Sequence, residues 1–213
     1  MFATHRRKWI LLSLAALGAA GMFFGPDGWH GLDIGPIGAT VLYAAIWLFV
    51  IHLSIHSNDV FPANASLSEK QSWVSLAFVL LITFHFLNLL DSLSDMGALA
   101  DEISNPASRN FGMNLGMLIF AWIVVGGIVR AQNADTVELD ERDLRIQRAA
   151  HRFSGGLMSM QIIGLIALLA IFPEQAQPWM RPLIVGNFLL GLLIVKTLVE
   201  SIFLVARYAR ERQ

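Results

Sequence analysis

An all-α polytopic membrane protein, a bundle of six transmembrane helices with a cytoplasmic amphipathic helix between helices four and five, is the fold class this sequence predicts. Three observations predict it. The 213 residues are 55% hydrophobic and only 15% charged, with a mean hydropathy of +0.59, a balance foreign to water-soluble domains. The apolar residues also gather into six blocks, at 9–24, 37–53, 73–90, 112–129, 156–172 and 182–206, on the scale of a hydrocarbon layer of ~30 Å. The basic residues, finally, fall on one side of the resulting topology. With the N-terminus inside, Arg6, Arg7, Lys8, Lys70, Arg130, Arg142, Arg145, Arg148, Arg152, Arg207, Arg210 and Arg212 are cytoplasmic, and only Arg109 and Arg181 lie outside. That bias sets both termini in the cytoplasm of a bacterial inner membrane.

The chain reads as a single six-helix transmembrane domain over 1–213, and some functions are excluded at once. It has no cysteine, so disulfides, thiolate metal sites and iron–sulfur clusters are ruled out. A net charge of −1 gives no reason to expect a direct nucleic-acid partner.

In the first block, His5-Arg6-Arg7-Lys8 precedes an apolar run ending in small residues, a pattern shared with secretory signals. With Met1 at its head, it is read as a retained membrane span. The Gly-rich connection from Gly25 to Gly35 carries Trp29, suited to a headgroup interface. Its Asp27, His30 and Asp33 could hold a cation or belong to a solvated turn.

Helix two ends in His52, His56 and Asp59, which share one face at i, i+4 and i+7. Two histidines one turn apart can chelate a divalent metal, with Asp59 as a third ligand or as an orienting group. The alternative is interface packing, with the imidazoles reaching water. The polar connection 57–72 then leads into helix three. There His85, Asn88, Ser92 and Asp95 recur at helical intervals, a polar stripe in an apolar helix. Such groups face a protein interior or a watery cavity, either as interhelical hydrogen bonds or as a proton or solute path.

An acidic connection, 91–110, precedes helix four, which opens with Gly112 and Gly116. Gly21 and Gly25 repeat that spacing in helix one, so backbones could approach closely at either place, within one chain or between two copies. Asn114 in helix four and Gln161 in helix five could hydrogen-bond between helices.

The stretch 135–153, DTVELDERDLRIQRAAHRF, holds five acids and four arginines and predicts a charged cytoplasmic helix. Asp135 can cap it with Glu138 three residues on. Glu138 to Arg142 and Glu141 to Arg145 are acid-first i,i+4 pairs, each worth roughly 0.2–0.5 kcal/mol. Acids lead and Arg148 and Arg152 follow, as the helix dipole favours. An apolar line of Leu139, Ile146, Ala150 and Phe153 could dock on a partner or on the base of the bundle.

Helix six places Lys196 and Glu200 one turn apart inside the apolar run. Charges at such depth read as functional unless they neutralise each other, so the pair is either a structural lock or a coupling site. Topology puts it at the depth of His52 and His56. Arg207, Tyr208, Arg210 and Arg212 close the chain as a basic collar suited to anionic headgroups.

At Asp140-Glu141-Arg142-Asp143 the chain resembles a family of small uncharacterised prokaryotic multi-pass membrane proteins. In that family a D-E-R-D sequence, then an aliphatic residue and small residues, lies on the cytoplasmic side between pairs of spans. Ile146, Ala149 and Ala150 match those positions. The resemblance covers roughly 73 to the end, with helices one and two as an addition. It implies a role as partner of small DNA-binding regulators.

Together these readings lead to the expectation of an integral inner-membrane regulator or scaffold. It would engage a cytoplasmic partner through Glu138, Glu141, Arg142, Arg145, Ile146 and Arg148. Besides that protein, the expected partners are the lipid bilayer and a second copy of the chain. The alternative is a small proton- or cation-coupled transporter or channel using His85, Asn88, Asp95, Lys196 and Glu200, although no inverted repeat supports it. A metal or haem protein built on His52, His56, Asp59 and His85, or an intramembrane enzyme, is the third reading. Neither an HExxH motif nor a Ser–His–Asp order is present, so no cofactor and no catalytic residue are expected.

Overall fold

The computed structural model describes residues 2–25, 34–61, 65–95, 106–132, 141–172 and 182–211; the side chains at 2–8, 23, 53–60, 91–95, 106–111 and 182–184 fall outside that description. The described chain is all-helical. Its elements are α1 (Phe2–Phe24), α2 (Ile34–Val60), α3 (Leu67–Asp95), α4 (Pro106–Ala131), α5 (Glu141–Ile171) and α6 (Pro182–Glu211).

Local chemistry explains where these helices start. Pro106 and Pro182 open α4 and α6, and Pro36 sits in the first turn of α2, where a missing N–H costs nothing and φ is already helical. At α3 the Glu69 N–H donates to Ser66 Oγ at 3.2 Å, the Ser-x-x-Glu start of a capping box. Glu141 and Asp143 place negative charge in the first turn of α5, whereas Arg130 and Arg210 place positive charge in the last turns of α4 and α6.

Five helices carry stretches long and apolar enough to cross a membrane: Ile34–His52, Leu67–Leu90, Gly112–Ala131, Glu141–Ile171 and Val185–Glu211. Leu87, Ile123, Ile163 and Ile166 on these helices are all more than half exposed, a surface suited to hydrocarbon and not to water. The first expected span falls on α1, whose apolar stretch among the described residues is Trp9–Met22, flanked by residues 2–8 and 23, whose side chains lie outside the description.

The chain divides into two compact units. One comprises Met1–Val74 and Met113–Val137; the other comprises Ser75–Gly112 and Glu138–Gln213. In the first, α1 packs on α2 at glycine distance. A Cβ built on Gly21 would lie 3.1 Å from the Gly38 Cα, and one on Gly18 would lie 3.0 Å from the Gly38 carbonyl oxygen. The close approach expected of Gly21 therefore occurs within the chain, with Gly38 as its counterpart. At Gly112 and Gly116 an added Cβ meets nothing within 4 Å among the described residues. Helix α2 also meets α4: the Tyr43 hydroxyl donates to the Asn114 main-chain carbonyl at 3.2 Å, and the Trp47 and Phe120 ring centroids lie 6.0 Å apart. The bond expected at Asn114 thus uses its backbone. Leu118, Ala121, Val125 and Val129 form one buried line along α4, at i, i+3, i+7 and i+11.

In the second unit α5 and α6 lie side by side, with the Phe86 ring of α3 against Gly191 of α6. Asp143, Ile146, Ala150 and Ser154 are the buried line of α5. Helix α5 changes one expectation. The sequence separates a charged helix at 135–153 from a span at 156–172, yet Glu141–Ile171 is one unbroken helix of 31 residues. The reason is local: nothing between Phe153 and Leu157 terminates a helix, since Gly155 and Gly156 weaken it without a proline to stop it. The cap expected from Asp135 and Glu138 lies outside the described residues.

Candidate functional site

Three contacts set the direction of the α5–α6 pair. Arg142 Nε donates to Glu211 Oε2 at 2.8 Å, Phe153 stacks on Phe203, and Ser154 meets Glu200. Rising numbers on α5 meet falling numbers on α6, so the helices are antiparallel and the charged start of α5 adjoins the end of α6.

Glu200 is the centre of the polar contacts between them. Its Oε2 accepts from Lys196 Nζ at 2.7 Å and from Ser154 Oγ at 2.9 Å, and its Oε1 lies 3.2 Å from His151 Nδ1. The lysine comes from one turn earlier on the same helix. Ser154 and His151 come from α5, one turn apart on the face that meets α6. Ser154 is fully buried, Lys196 and Glu200 are partly exposed, and the His151 side chain is 75% exposed. One carboxylate therefore gathers two cation-capable groups and a hydroxyl, with its imidazole partner open to the surroundings. Chemically this neutralises the charges of α6 and joins the two helices by hydrogen bonds. With Nδ1 protonated, His151 is a donor to the carboxylate; which ring nitrogen carries hydrogen is set by that contact.

The sequence pair Lys196 and Glu200 is thus in contact as expected, but its further partners are His151 and Ser154. Sequence reasoning missed both, although one signal was available. They sit at i and i+3 just where α5 turns apolar, at the depth Lys196 and Glu200 occupy in a helix of opposite direction.

The charged stretch has two opposite faces. Glu141, Arg145, Arg148 and Arg152, at i, i+4, i+7 and i+11, are exposed, and they lie roughly opposite the buried line on a helical projection. Ile146 is only 4% exposed and Ala150 is fully buried, so the apolar line offered by the sequence is packed inside the protein. This removes Ile146 from any docking surface. Arg142 pairs with Glu211, 69 residues on; the local contact expected with Glu138 lies outside the described residues.

The other expected site residues scatter. His85 is buried, but Asn88, three residues on, is exposed; Asp95 closes α3 with its side chain outside the description. The polar stripe on α3 is therefore not one interior line through its described members. His52 is buried, while the side chains of His56 and Asp59 lie outside the description, as do Asp27, His30 and Asp33. Among the described residues no three His, Asp or Glu side chains are grouped as a metal site would need. Gln161, expected to hydrogen-bond between helices, has a buried Oε1 that takes no hydrogen bond among the described residues.

Comparison with known proteins places the chain in no family: no family model matches it, and searches of curated proteins and of solved structures give no match.

Proposed function

We propose that the chain is an integral inner-membrane regulator or scaffold that presents the first three turns of α5 to a cytoplasmic protein. The reading takes six spans, with the basic residues that flank α1 reaching the headgroups beside the first, and both termini in the cytoplasm. One observation carries it: Glu141, Arg145 and Arg148 point away from the buried line of the same rigid helix. A helix whose inner face is fixed by packing offers its outer charges without an ordering cost, which favours recognition of a complementary, mainly acidic surface. Glu138 extends that face in sequence. A small DNA-binding regulator is the partner class that the D-E-R-D resemblance implies, and the Glu200 contacts then act as a lock holding α5 in place. No cofactor is part of this reading.

A photo-crosslinking residue at position 145 or 148, in native membranes, tests it. The expected result is one discrete protein adduct, weakened when the neighbouring arginine becomes glutamate and absent with the crosslinker at Ile163. An identical pattern from all three positions ends the proposal. Export of a reporter fused near residue 145 would overturn the topology.

A second reading, proton or cation transfer, draws on the exposed His151 in contact with Glu200 and, through it, Lys196. It predicts flux in liposomes that His151→Gln abolishes. Background flux of protons and divalent cations through the native protein would remove it.

A further inference from the structure

The two oxygens of Glu200 are held differently. Oε2 accepts from Lys196 Nζ at 2.7 Å and from Ser154 Oγ at 2.9 Å, whereas Oε1 lies 3.2 Å from His151 Nδ1. The Ser154 hydroxyl also lies 3.3 Å from the His151 main-chain carbonyl, so a single turn of α5 sets both of its groups against the carboxylate. Ser154 is fully buried and the Glu200 side chain is 22% exposed, but the His151 side chain is 75% exposed. The Oε1 contact is therefore the part of the cluster most open to the surroundings.

Its level along α5 identifies those surroundings. The charged turns of the helix end at Arg152, and the large exposed side chains beyond Phe153 are apolar, among them Met160, Ile163 and Ile166. His151 thus stands where the charged part of the helix gives way to the apolar part, within reach of protons from water. Imidazole ordinarily changes charge between about pH 5 and 8. When neutral, it turns either an uncharged N–H or a lone pair toward Oε1, according to the tautomer. When protonated, both of its nitrogens carry hydrogen and Nδ1 donates with a positive charge, which makes the stronger bond to a carboxylate. From α6, Glu200 and Lys196 are the charged groups of this cluster, and Lys196 is bonded to the other oxygen; Arg207, seven residues on, lies over the Phe203 ring. On α5, Arg148 and Arg152 belong to the exposed line turned away from the buried one. These cations temper the gain from a charged imidazole without replacing its direct contact with Oε1.

We propose that His151 is a pH latch between α5 and α6: in acid its imidazolium closes on Glu200 and tightens the pair, and as pH rises through the imidazole range the latch slackens. The added stability is present on the acid side of that range and lost on the alkaline side. With three quarters of its side chain exposed, solvent screening holds the gain to that of an exposed ion pair, about two- to fivefold in the equilibrium for separating the helices. The latch rests on the reading of the Glu200 contacts as a lock that holds α5 in place. It requires neither flux of protons across the membrane nor a protein partner at Arg145 and Arg148.

The full chain with spin labels at Met160→Cys and Leu193→Cys, taken through a denaturing detergent titration at about pH 5.5 and at about pH 8, tests the proposal. With no other change, its constant for separating α5 from α6 should be about two- to fivefold smaller at the lower pH. His151→Gln keeps a neutral donor at an exposed position and should remove the difference. Lys196→Met with Glu200→Gln, which leaves His151 facing an uncharged amide, should remove it as well. Equal constants at both pH values without these changes, or helices that separate more readily in acid, overturn the latch. So does a pH difference that survives His151→Gln or the double variant. Glu200→Ala keeps the lock distinguishable. If that variant separates more readily while the labelled protein without it responds equally at both pH values, the lock stands and the latch is ended; if it matches that protein at both pH values, both are ended.

Discussion

Replacing Glu200 by alanine should separate α5 from α6 more effectively than any other single truncation in that pair. The carboxylate accepts from Lys196 at 2.7 Å and Ser154 at 2.9 Å and faces His151 at 3.2 Å, so its loss strands three groups at once. Each interhelical hydrogen bond within a membrane is worth on average about 0.6 kcal/mol. An uncompensated lysine at the centre of a span costs ~2.5–3.5 kcal/mol, and less where its stem can carry the ammonium toward the headgroups. Together these give a cost of about 3 kcal/mol for Glu200→Ala. Ser154→Ala, which removes one neutral donor, should cost about 0.6 kcal/mol. Lys196→Met with Glu200→Gln should stay within about 1 kcal/mol of native, because both charges leave together and Gln still accepts from Ser154. The absence of cysteine allows a direct assay. Spin labels on Met160→Cys and Leu193→Cys, both exposed in the native protein, report helix separation during a denaturing detergent titration. A Glu200→Ala protein within about 0.5 kcal/mol of native, or a double variant as unstable as Glu200→Ala alone, would refute the reasoning.

Three further outcomes are expected. Gly38→Ala drives a methyl into the α1 backbone at Gly21 and Met22 and should cost about 1–3 kcal/mol by the same kind of titration, whereas Gly116→Ala, in open space, should be neutral or stabilising. Gly155→Ala and Gly156→Ala meet nothing within 4 Å among the described residues and should each raise stability by about 0.5–1 kcal/mol; a loss in either would show a close neighbour at that face. Arg142→Glu should lose less than about 1 kcal/mol and regain it on pairing with Glu211→Arg, with a salt dependence typical of a half-exposed pair.

Much of the architecture was legible because it depends on local pattern. Five of the apolar blocks and the Lys196–Glu200 pair are set by neighbours within a turn or two, and they are found where the sequence places them. The site was legible by half. Lys196 and Glu200 share a helix, but His151 and Ser154 reach Glu200 only through the pairing of α5 with α6, and pairing is a property of whole helix surfaces. Ile146 went the other way for a related reason. An apolar residue among charges reads equally as a docking surface or as packing, and only a neighbouring helix decides which.

The Ser154-Gly155-Gly156 step has a mechanical meaning. A rod of 31 residues running from arginines into lipid is softest where two successive residues lack a side chain, and that is where the Glu200 carboxylate takes hold of Ser154. The bond to Glu200 thus braces α5 at the one place where its own side chains stiffen it least.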